Sequence, residues 1–155
     1  MTAEEKASQS MTFREIPSLI YLLKSAEAAS RAQMDSLLRG ANVTTMQYLI
    51  LGVLLEHQAL SGAALARRTF MRPQSMQDII RALEVKGYIQ RTQTLADRRE
   101  RLISITNAGV ELMHELEPRI ATFDSMLCHG MTSEEEVQFR KLLRRARSNA
   151  QNFRL

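Results

Sequence analysis

Apolar residues recur at the spacing of one helical face along most of the chain. The first long segment, residues 16–39, predicts a helix on this pattern. Positions i, i+3, i+4 and i+7 of its apolar face are Ile16, Leu19, Ile20 and Leu23. Thr12 and Glu15 are spaced as a capping box, whereas Pro17 favours a start nearer to residue 16, so both starts stay open. Gly40 marks the end of this helix.

Three shorter helices are predicted in the middle of the chain. They span residues 44–57, 63–68 and 73–86. The first opens with Thr44 and Gln47 spaced as a capping box, and Ser61 is a good N-cap for the second. Pro73 suits the first turn of the third helix, because a proline lacks only an N–H that is not needed there. Gly87 marks where the third helix ends.

The hydrophobic period changes after these helices. Residues 88–93 and 101–105 are rich in strand-forming side chains. Ile103 and Ile105 alternate with Ser104, as expected of a half-buried strand. A polar stretch separates the two runs, so the sequence predicts one short antiparallel hairpin in an otherwise helical chain.

Two long helices follow the hairpin. Thr106 caps the first, whose apolar residues repeat at intervals of three and four as in a coiled coil, and Pro118 is expected to bend it. Thr132 and Glu135 are spaced as a capping box at the start of the second. The apolar stripes are Met113, Leu116, Ile120, Phe123 and Leu127 on the first helix, and Phe139, Leu142, Leu143, Ala146, Ala150 and Phe153 on the second. The basic outer face of the second helix is Arg140, Lys141, Arg144, Arg145 and Arg147.

The first helix and the last two helices carry more apolar surface than a small central unit can cover. Burial against a second copy of the chain would solve this, so we expect a homodimer. Tertiary packing of these helices within one chain is the alternative.

Composition and charge narrow the class of partner. The 155 residues are 45% hydrophobic and 25% charged, which is an ordinary globular composition and excludes a disordered chain. The net charge of +4 is unevenly distributed, because residues 67–101 hold nine basic and four acidic side chains and the rest of the chain has a net charge of −1. A polyanion is the obvious partner of such a segment, and a solvated charged face is the alternative.

Several classes of protein are excluded by features that the sequence lacks. No apolar run approaches the roughly 20 residues that a membrane span needs, and residues 1–10 lack the apolar core of a signal peptide, so we expect a cytoplasmic protein. The sequence contains no glycine-rich phosphate loop, nucleophile elbow or His-Glu-x-x-His motif, so we expect neither an enzyme nor a cofactor. The three histidines have no ligand-like spacing with Cys128, so we expect no metal site.

The second and third of the middle helices, joined by a tight turn, form a candidate helix-turn-helix unit. The third helix is amphipathic, with Met76, Ile79 or Ile80, and Leu83 turned inward. Such a helix fits the major groove of DNA and presents polar side chains to base edges. The candidate DNA-binding residues of this helix and of the position before it are Arg72, Gln74, Ser75, Gln77, Asp78 and Arg81. A plain solvated helix face is the alternative.

The tip of the hairpin supplies a second candidate contact. Its arginines suit the narrow minor groove, whose negative potential favours a long, weakly hydrated cation. Asp97 would repel phosphate, so we expect it to orient an arginine by a charge-assisted bond. We call this hairpin tip the wing, and its candidate DNA-binding residues are Asp97, Arg98, Arg99 and Arg101. A turn that is simply charged is the alternative.

Together, these motifs resemble the core of the MarR-type winged helix-turn-helix regulators. They keep the family's order and approximate spacing, and the resemblance covers about residues 12–153. The matching stretches are Leu65-Ala66-Arg67-Arg68, Pro73-Gln74-Ser75-Met76, Leu83-Glu84-Val85-Lys86-Gly87-Tyr88-Ile89-Gln90-Arg91, Asp97-Arg98-Arg99 and Ile103-Ser104-Ile105-Thr106-Asn107-Ala108-Gly109.

The resemblance implies a mainly α fold, a winged helix-turn-helix with a short β-hairpin wing, flanked by long N- and C-terminal dimerisation helices. After a flexible N-terminus (residues 1–11) comes one domain (residues 12–155). Its DNA-binding lobe would span about residues 44–106, and its dimerisation region would comprise about residues 12–40 and 107–155.

The function that the resemblance implies is transcription regulation. Members of this family are homodimers, usually repressors, that bind an inverted-repeat operator in double-stranded DNA and release it when a small-molecule effector binds. Arg99 takes the place of the family's wing arginine, with Arg98 beside it, and Asp97 takes the place of its wing aspartate. No motif defines the effector pocket, so no residue is assigned to it.

The sequence departs from the family pattern at two places. Thr69 and Phe70 stand where many members have a leucine and a glycine in the turn. Asp78 lies on the face of the third middle helix that would contact base edges, where an acid could accept a hydrogen bond from cytosine.

Two other functions stay open. One is an architectural or protein-binding helical dimer that uses the basic last helix against an acidic partner, and the other is a redox-sensing regulator that uses Cys128.

Overall fold

The computed structural model describes residues 18–93 and 101–153. In chain order the described elements are α1 (Leu19–Leu37), α2 (Thr45–His57), β1 (Ala59–Ser61), α3 (Gly62–Thr69), α4 (Pro73–Val85), β2 (Ile89–Gln93), β3 (Arg101–Ile105), α5 (Asn107–Leu127) and α6 (Ser133–Asn152). The chain divides into two compact units, Met1–Glu117 and Pro118–Leu155. Within the described ranges no helix is both long enough and apolar enough to cross a membrane.

Side-chain caps fix the starts of most helices. The Thr44 hydroxyl accepts from the backbone N–H of Gln47, whose side chain accepts from the N–H of Thr44, and this capping box confirms the predicted start of α2. Ser61 caps α3 as predicted. α1 starts later than residue 16, with Ser18 as its N-cap, and the alternative starts at Thr12, Glu15 and Pro17 lie outside the described residues.

The sheet contains one strand more than the predicted hairpin. β2 and β3 pair antiparallel, with Arg91 opposite Ile103, as the alternating pattern predicts. β1, however, pairs antiparallel with the other edge of β3, so the order of the three-stranded sheet is β1-β3-β2. The prediction of a lone hairpin was therefore wrong, because a strand of three residues is too short to show a period of its own.

The core of the first unit lies where α2, α3 and α4 meet the sheet. Each helix contributes side chains that are removed from solvent, and β3 contributes Ile103. The side chains with essentially no exposure there are Ile50, Leu51, Leu54, Leu65, Met76, Ile80 and Leu83. Ile80, and not Ile79, is thus the fully buried member of the pair that the pattern left open. This packing holds α4 with one face inward and the opposite face in solvent.

The second unit holds the end of α5 and the whole of α6. α5 runs through Pro118 as one continuous helix, and the boundary between the two units falls at this proline. Within the unit, Arg140 bonds to Glu136 one turn before it on α6 and to Asp124 on α5. The hydrogen bonds that Arg140 donates to these two carboxylates, Glu136 first, raise its pKa. α6 buries none of its described side chains.

Candidate nucleic-acid interface

α4 presents a polar face to solvent directly opposite its buried residues. Gln74, Ser75, Asp78 and Arg81 are all exposed, as the amphipathic pattern predicts. Asp78 and Arg81 form an ion pair with 3.8 Å between Oδ1 and Nη1, and both side chains remain mostly in solvent. Such a surface pair is weak, so Arg81 is free to exchange Asp78 for another acceptor.

Gln77 differs from its neighbours on this face because it is half-buried. A Cβ on Gly62 would lie 2.7 Å from the Gln77 Nε2 atom, so the side chain of Gln77 rests against the first residue of α3. Gln77 therefore takes part in the packing of α3 on α4, and only part of its amide is available to a ligand.

The N-terminus of α4 is open. Arg72 occupies the N-cap position and makes no side-chain cap, and Pro73 lies in the first turn. Serine or threonine side chains cap α1, α2, α3 and α6 instead. The first backbone N–H groups of a helix have no partner within the helix, so those of α4 can donate to an external acceptor such as a phosphate. Arg72 is exposed beside them.

The turn between α3 and α4 has an unusual backbone. Phe70 ends α3 with φ 56° and ψ 31°, in the left-handed region that favours glycine. The conformation costs a residue with a side chain about 1–2 kcal/mol. Glycine adopts this conformation without strain, so the backbone gives a physical reason to expect glycine at position 70, where this chain has phenylalanine. Phe70 is 62% exposed.

Positive charge surrounds this turn. Arg67 and Arg68 lie exposed in the last turn of α3, and Arg72 follows the turn. Among the ion pairs formed within the described residues, none involves these three arginines. Their charge is therefore available to a polyanion.

The wing is described only at its base. Arg101 is exposed at the start of β3, opposite Gln93 at the end of β2. The other predicted wing residues, Asp97, Arg98 and Arg99, lie outside the described residues. The opposite ends of the two strands, Ile89 and Ile105, lie at the end of the sheet at which α5 begins.

Two sequence motifs, the turn at Gly87 and the helix start at Thr106, meet at that end of the sheet and fix the base of the wing to α4 and α5. The Thr106 hydroxyl donates to the Gly87 carbonyl at 2.7 Å and accepts from the backbone N–H of Gly109 at 3.2 Å. The Thr106 N–H donates to the Tyr88 carbonyl. The turn after α4, in which Gly87 has φ +75°, is thereby bonded directly to the first turn of α5.

An ion pair also joins the end of α4 to β2. Arg91 Nε lies 3.0 Å from Glu84 Oε2, although its N–H is not directed at the carboxylate as in a hydrogen bond. Leu83, the residue before Glu84, is fully buried. The leucine-glutamate-x-x-glycine stretch therefore combines a core residue, an ion pair to the wing and a left-handed turn.

The other candidate chemistries have little geometric support. Cys128 is half-buried just after α5. No group of three or more potential metal ligands occurs in the described part of the chain.

A cavity of about 610 Å³ lies between the end of α1 and the start of α2, with Arg31, Arg39 and Lys86 among its lining residues. Sequence patterns gave no sign of this cavity, because only the fold brings Lys86 to the lining residues between positions 31 and 46.

Comparisons with known proteins agree with this geometry. A family model described as MarR family matches residues 41–100. An HTH-type transcriptional repressor of Mycobacterium tuberculosis is 26% identical over 129 residues, which are 83% of this chain and 93% of the repressor. Over residues 41–100 the chain is therefore similar to the MarR family. It is a winged helix-turn-helix transcription regulator that binds DNA.

Two solved MarR-type structures share the fold. One is a mutant MarR from E. coli complexed with operator DNA, with a TM-score of 0.76, 18% identity and coverage of 86% of this chain and 96% of that chain. The other is BpsR of Bordetella bronchiseptica, whose DNA binding is regulated by 6-hydroxynicotinic acid. Its TM-score is 0.73 and its identity 23%, with coverage of 81% of this chain and 96% of that chain.

Proposed function

We propose that this chain is a MarR-type homodimeric repressor that binds an inverted-repeat operator and releases it when a small molecule binds. The observation that carries the proposal is the face of α4, where exposed polar side chains lie opposite fully buried Met76, Ile80 and Leu83. The sequence-specific contact is assigned to this face, and its action on chromosomal DNA would place the protein in the cytoplasm.

The side chains of α4 divide by chemistry into base readers and phosphate binders. Gln74 is suited to bidentate pairing with adenine, Arg81 to guanine, and Ser75 to bases or phosphates. Asp78 is suited to accept from the exocyclic amine of cytosine. Arg72 and the open N-terminus of α4 are suited to a phosphate.

The wing completes the proposed contact in the adjacent minor groove. Arg98 and Arg99 enter or border the groove, Asp97 orients one of them, and Arg101 contacts the backbone at its edge. Phosphate contacts from the basic central segment supply most of the affinity, so binding weakens steeply as the salt concentration rises.

Dimerisation is supported by apolar surface that one chain leaves open. The first residues of α1 are apolar on every side, and Leu19, the first of them, is 79% exposed. Leu142 and Leu143 on the apolar stripe of α6 are exposed as well. A two-fold dimer through these helices would present two copies of α4 to half-sites about one helical turn apart.

Effector release is supported by a related regulator and by the cavity beside α1. DNA binding by BpsR is regulated by 6-hydroxynicotinic acid, a small organic acid. The cavity of about 610 Å³ in this chain is in the size range of small-molecule sites. An effector would act by binding more tightly to a form in which the two α4 helices no longer match the half-site spacing.

The proposal is tested by selecting bound fragments from a random duplex pool at near-physiological salt. We expect enrichment of an inverted repeat, and about 1–3 kcal/mol weaker binding to it by Arg99→Ala. Arg145→Ala, which removes an exposed arginine from α6, is the matched control and should bind the repeat like the wild type.

Other outcomes of the selection would contradict the proposal. Salt-sensitive binding without enrichment of any sequence would show that the protein binds DNA nonspecifically. An effect of Arg145→Ala on binding to an acidic protein, with no effect of Arg99→Ala on DNA, would instead favour the protein-binding dimer.

A further inference from the structure

The turn before α4 contains an aromatic side chain that the fold does not need. Phe70 and Met71 both donate their backbone N–H groups to the carbonyl of Ala66, which closes the end of α3. These bonds require a left-handed residue at position 70, and glycine adopts that conformation without strain. The backbone therefore accounts for the conformation at position 70 and not for a phenylalanine there.

The core does not account for the phenylalanine either. Phe70 is 62% exposed, whereas the buried residues of α3, Leu65 and Ala66, lie on the inner face of that helix. A residue that is both strained and exposed lowers the stability of the isolated chain. Strained residues with no structural benefit are typical of binding sites.

The position of Phe70 indicates which ligand its ring meets. It lies three residues before Pro73, so its Cα is at most about 11 Å from the start of α4 along the chain. Arg67, Arg68 and Arg72 are exposed on either side of it. An apolar ring among cations, close to the N-terminus of α4, is suited to a polyanion that also exposes apolar groups.

DNA has one such apolar group in its major groove, the C5-methyl of thymine. We propose that Phe70 is a specificity-determining residue whose ring packs against a thymine methyl at the edge of each operator half-site. This inference rests on the proposed function, because it requires α4 to lie in the major groove. It adds an apolar contact to a reading face whose other members are polar.

The test compares Phe70→Gly and Phe70→Asn with the wild type on the selected operator and on a scrambled duplex of the same length. Both variants keep a residue that tolerates the left-handed backbone, so both should fold, and Phe70→Gly should melt at or above the wild-type temperature. We expect operator affinity to fall about five- to tenfold and scrambled-duplex affinity to stay within about twofold. The matched control is Val85→Ala, which trims an 83% exposed apolar residue at the other end of α4 and should leave both affinities unchanged.

A second arm replaces each thymine of the operator with deoxyuridine, which lacks only the methyl group. At one thymine per half-site, wild-type binding should weaken while binding by Phe70→Gly does not change further, because the contact is already lost. Operator binding by Phe70→Gly at the wild-type level would overturn the inference and leave the proposed function intact. An equal loss on both duplexes, or the lack of any thymine with this coupling, would also overturn it. Failure of the wild type to prefer any duplex would overturn the proposed function itself.

Discussion

At position 109 a side chain of any size would collide with backbone. A Cβ there would lie 2.3 Å from the carbonyl oxygen of Tyr88 and 2.7 Å from Cγ1 of Ile105. Neither neighbour can easily withdraw, since the same Tyr88 carbonyl accepts the Thr106 N–H and Ile105 is paired with Ile89 in the sheet. Glycine thus allows the first turn of α5 to touch the turn that leads into β2.

Gly109→Ala should therefore be strongly destabilising. We expect the free energy of unfolding to fall by about 2–3 kcal/mol, because the added methyl group must push backbone apart. Urea denaturation followed by circular dichroism measures the change. The control is Gly52→Ala inside α2, whose new Cβ would meet only Met113 Cε at 3.8 Å, and which should be neutral or stabilising by up to about 1 kcal/mol. Equal losses in the two variants would contradict the contact argument.

Glu27 on α1 is a second residue whose behaviour follows from its neighbours. Hydrogen bonds from Arg31 lower the pKa of its carboxyl group, and the nearby Lys24 adds to the effect. A lowered pKa in the folded state means that the pair stabilises α1 above the ordinary carboxyl pKa and that this contribution is lost as pH falls through the folded value.

An NMR titration of the Glu27 carboxyl carbon measures this pKa directly. We expect a value below that of an unpaired glutamate in the wild type and a return towards the ordinary value in Arg31→Met. A titration that is the same in both proteins would show that Arg31 is not the cause.

At the scale of elements, Lys86 links the end of α4 to the corner between α1 and α2. Its Nζ donates to Gln47 Oε1 at 3.0 Å and to the carbonyl of Asn42. Gln47 is buried and its Oε1 also completes the capping box of α2. One lysine thereby joins two elements that are far apart in sequence and lies in the wall of the cavity.

Lys86→Met should weaken this junction. The buried oxygen of Gln47 loses a charged donor, so we expect the free energy of unfolding to fall by about 1–3 kcal/mol. Thermal and urea unfolding measure it. Lys141→Met removes an exposed lysine of α6 and should change stability by less than about 0.5 kcal/mol. A loss in Lys86→Met no larger than in this control would contradict the role of the junction.

At the scale of the whole molecule, the exposed apolar residues at the start of α1 support the proposed homodimer. A single chain leaves five consecutive apolar residues of this helix, Leu19 to Leu23, open to solvent. Such a surface is unusual for a monomer and typical of an interface. The same helix buries Met34 near its other end, so its role changes along its length.

Leu23→Glu should dissociate the proposed dimer. A carboxylate in an apolar interface is not paired, so we expect the dimer dissociation constant to rise at least about tenfold. Analytical ultracentrifugation over a concentration series measures it. Ala32→Glu is the matched control, because Ala32 is exposed on the opposite side of α1 and the new charge stays in solvent. A wild-type chain that stays monomeric throughout the series would refute the homodimer.

Much of the fold could be predicted from local sequence. The capping box at Thr44, the cap at Ser61 and the proline at the start of α4 each act within a few residues, so the pattern predicts them well. The strand β1 could not be predicted, because its three residues are a strand only through pairing with β3. The late start of α1 depends on the Ser18 cap, which competes with other capping signals nearby.

The candidate site was predictable to a similar degree. Amphipathic spacing alone indicates the exposed residues Gln74, Ser75, Asp78 and Arg81 on α4. It does not indicate that Gln77 rests against Gly62, since that contact joins two helices. The left-handed backbone of Phe70 was visible only as a phenylalanine in a glycine position, and its angle and exposure required the structure.

The sequence by itself determined the order of the helices, the hairpin strands, the polar face of α4 and the uneven distribution of charge. Hydrophobic period, caps and charge act over a few residues, so they can be read along the chain. Only the tertiary structure decided the third strand, the junction at Lys86, the contact at Gly109 and the exposure of Phe70. Each of these depends on atoms brought together from distant segments, and no local pattern encodes such proximity.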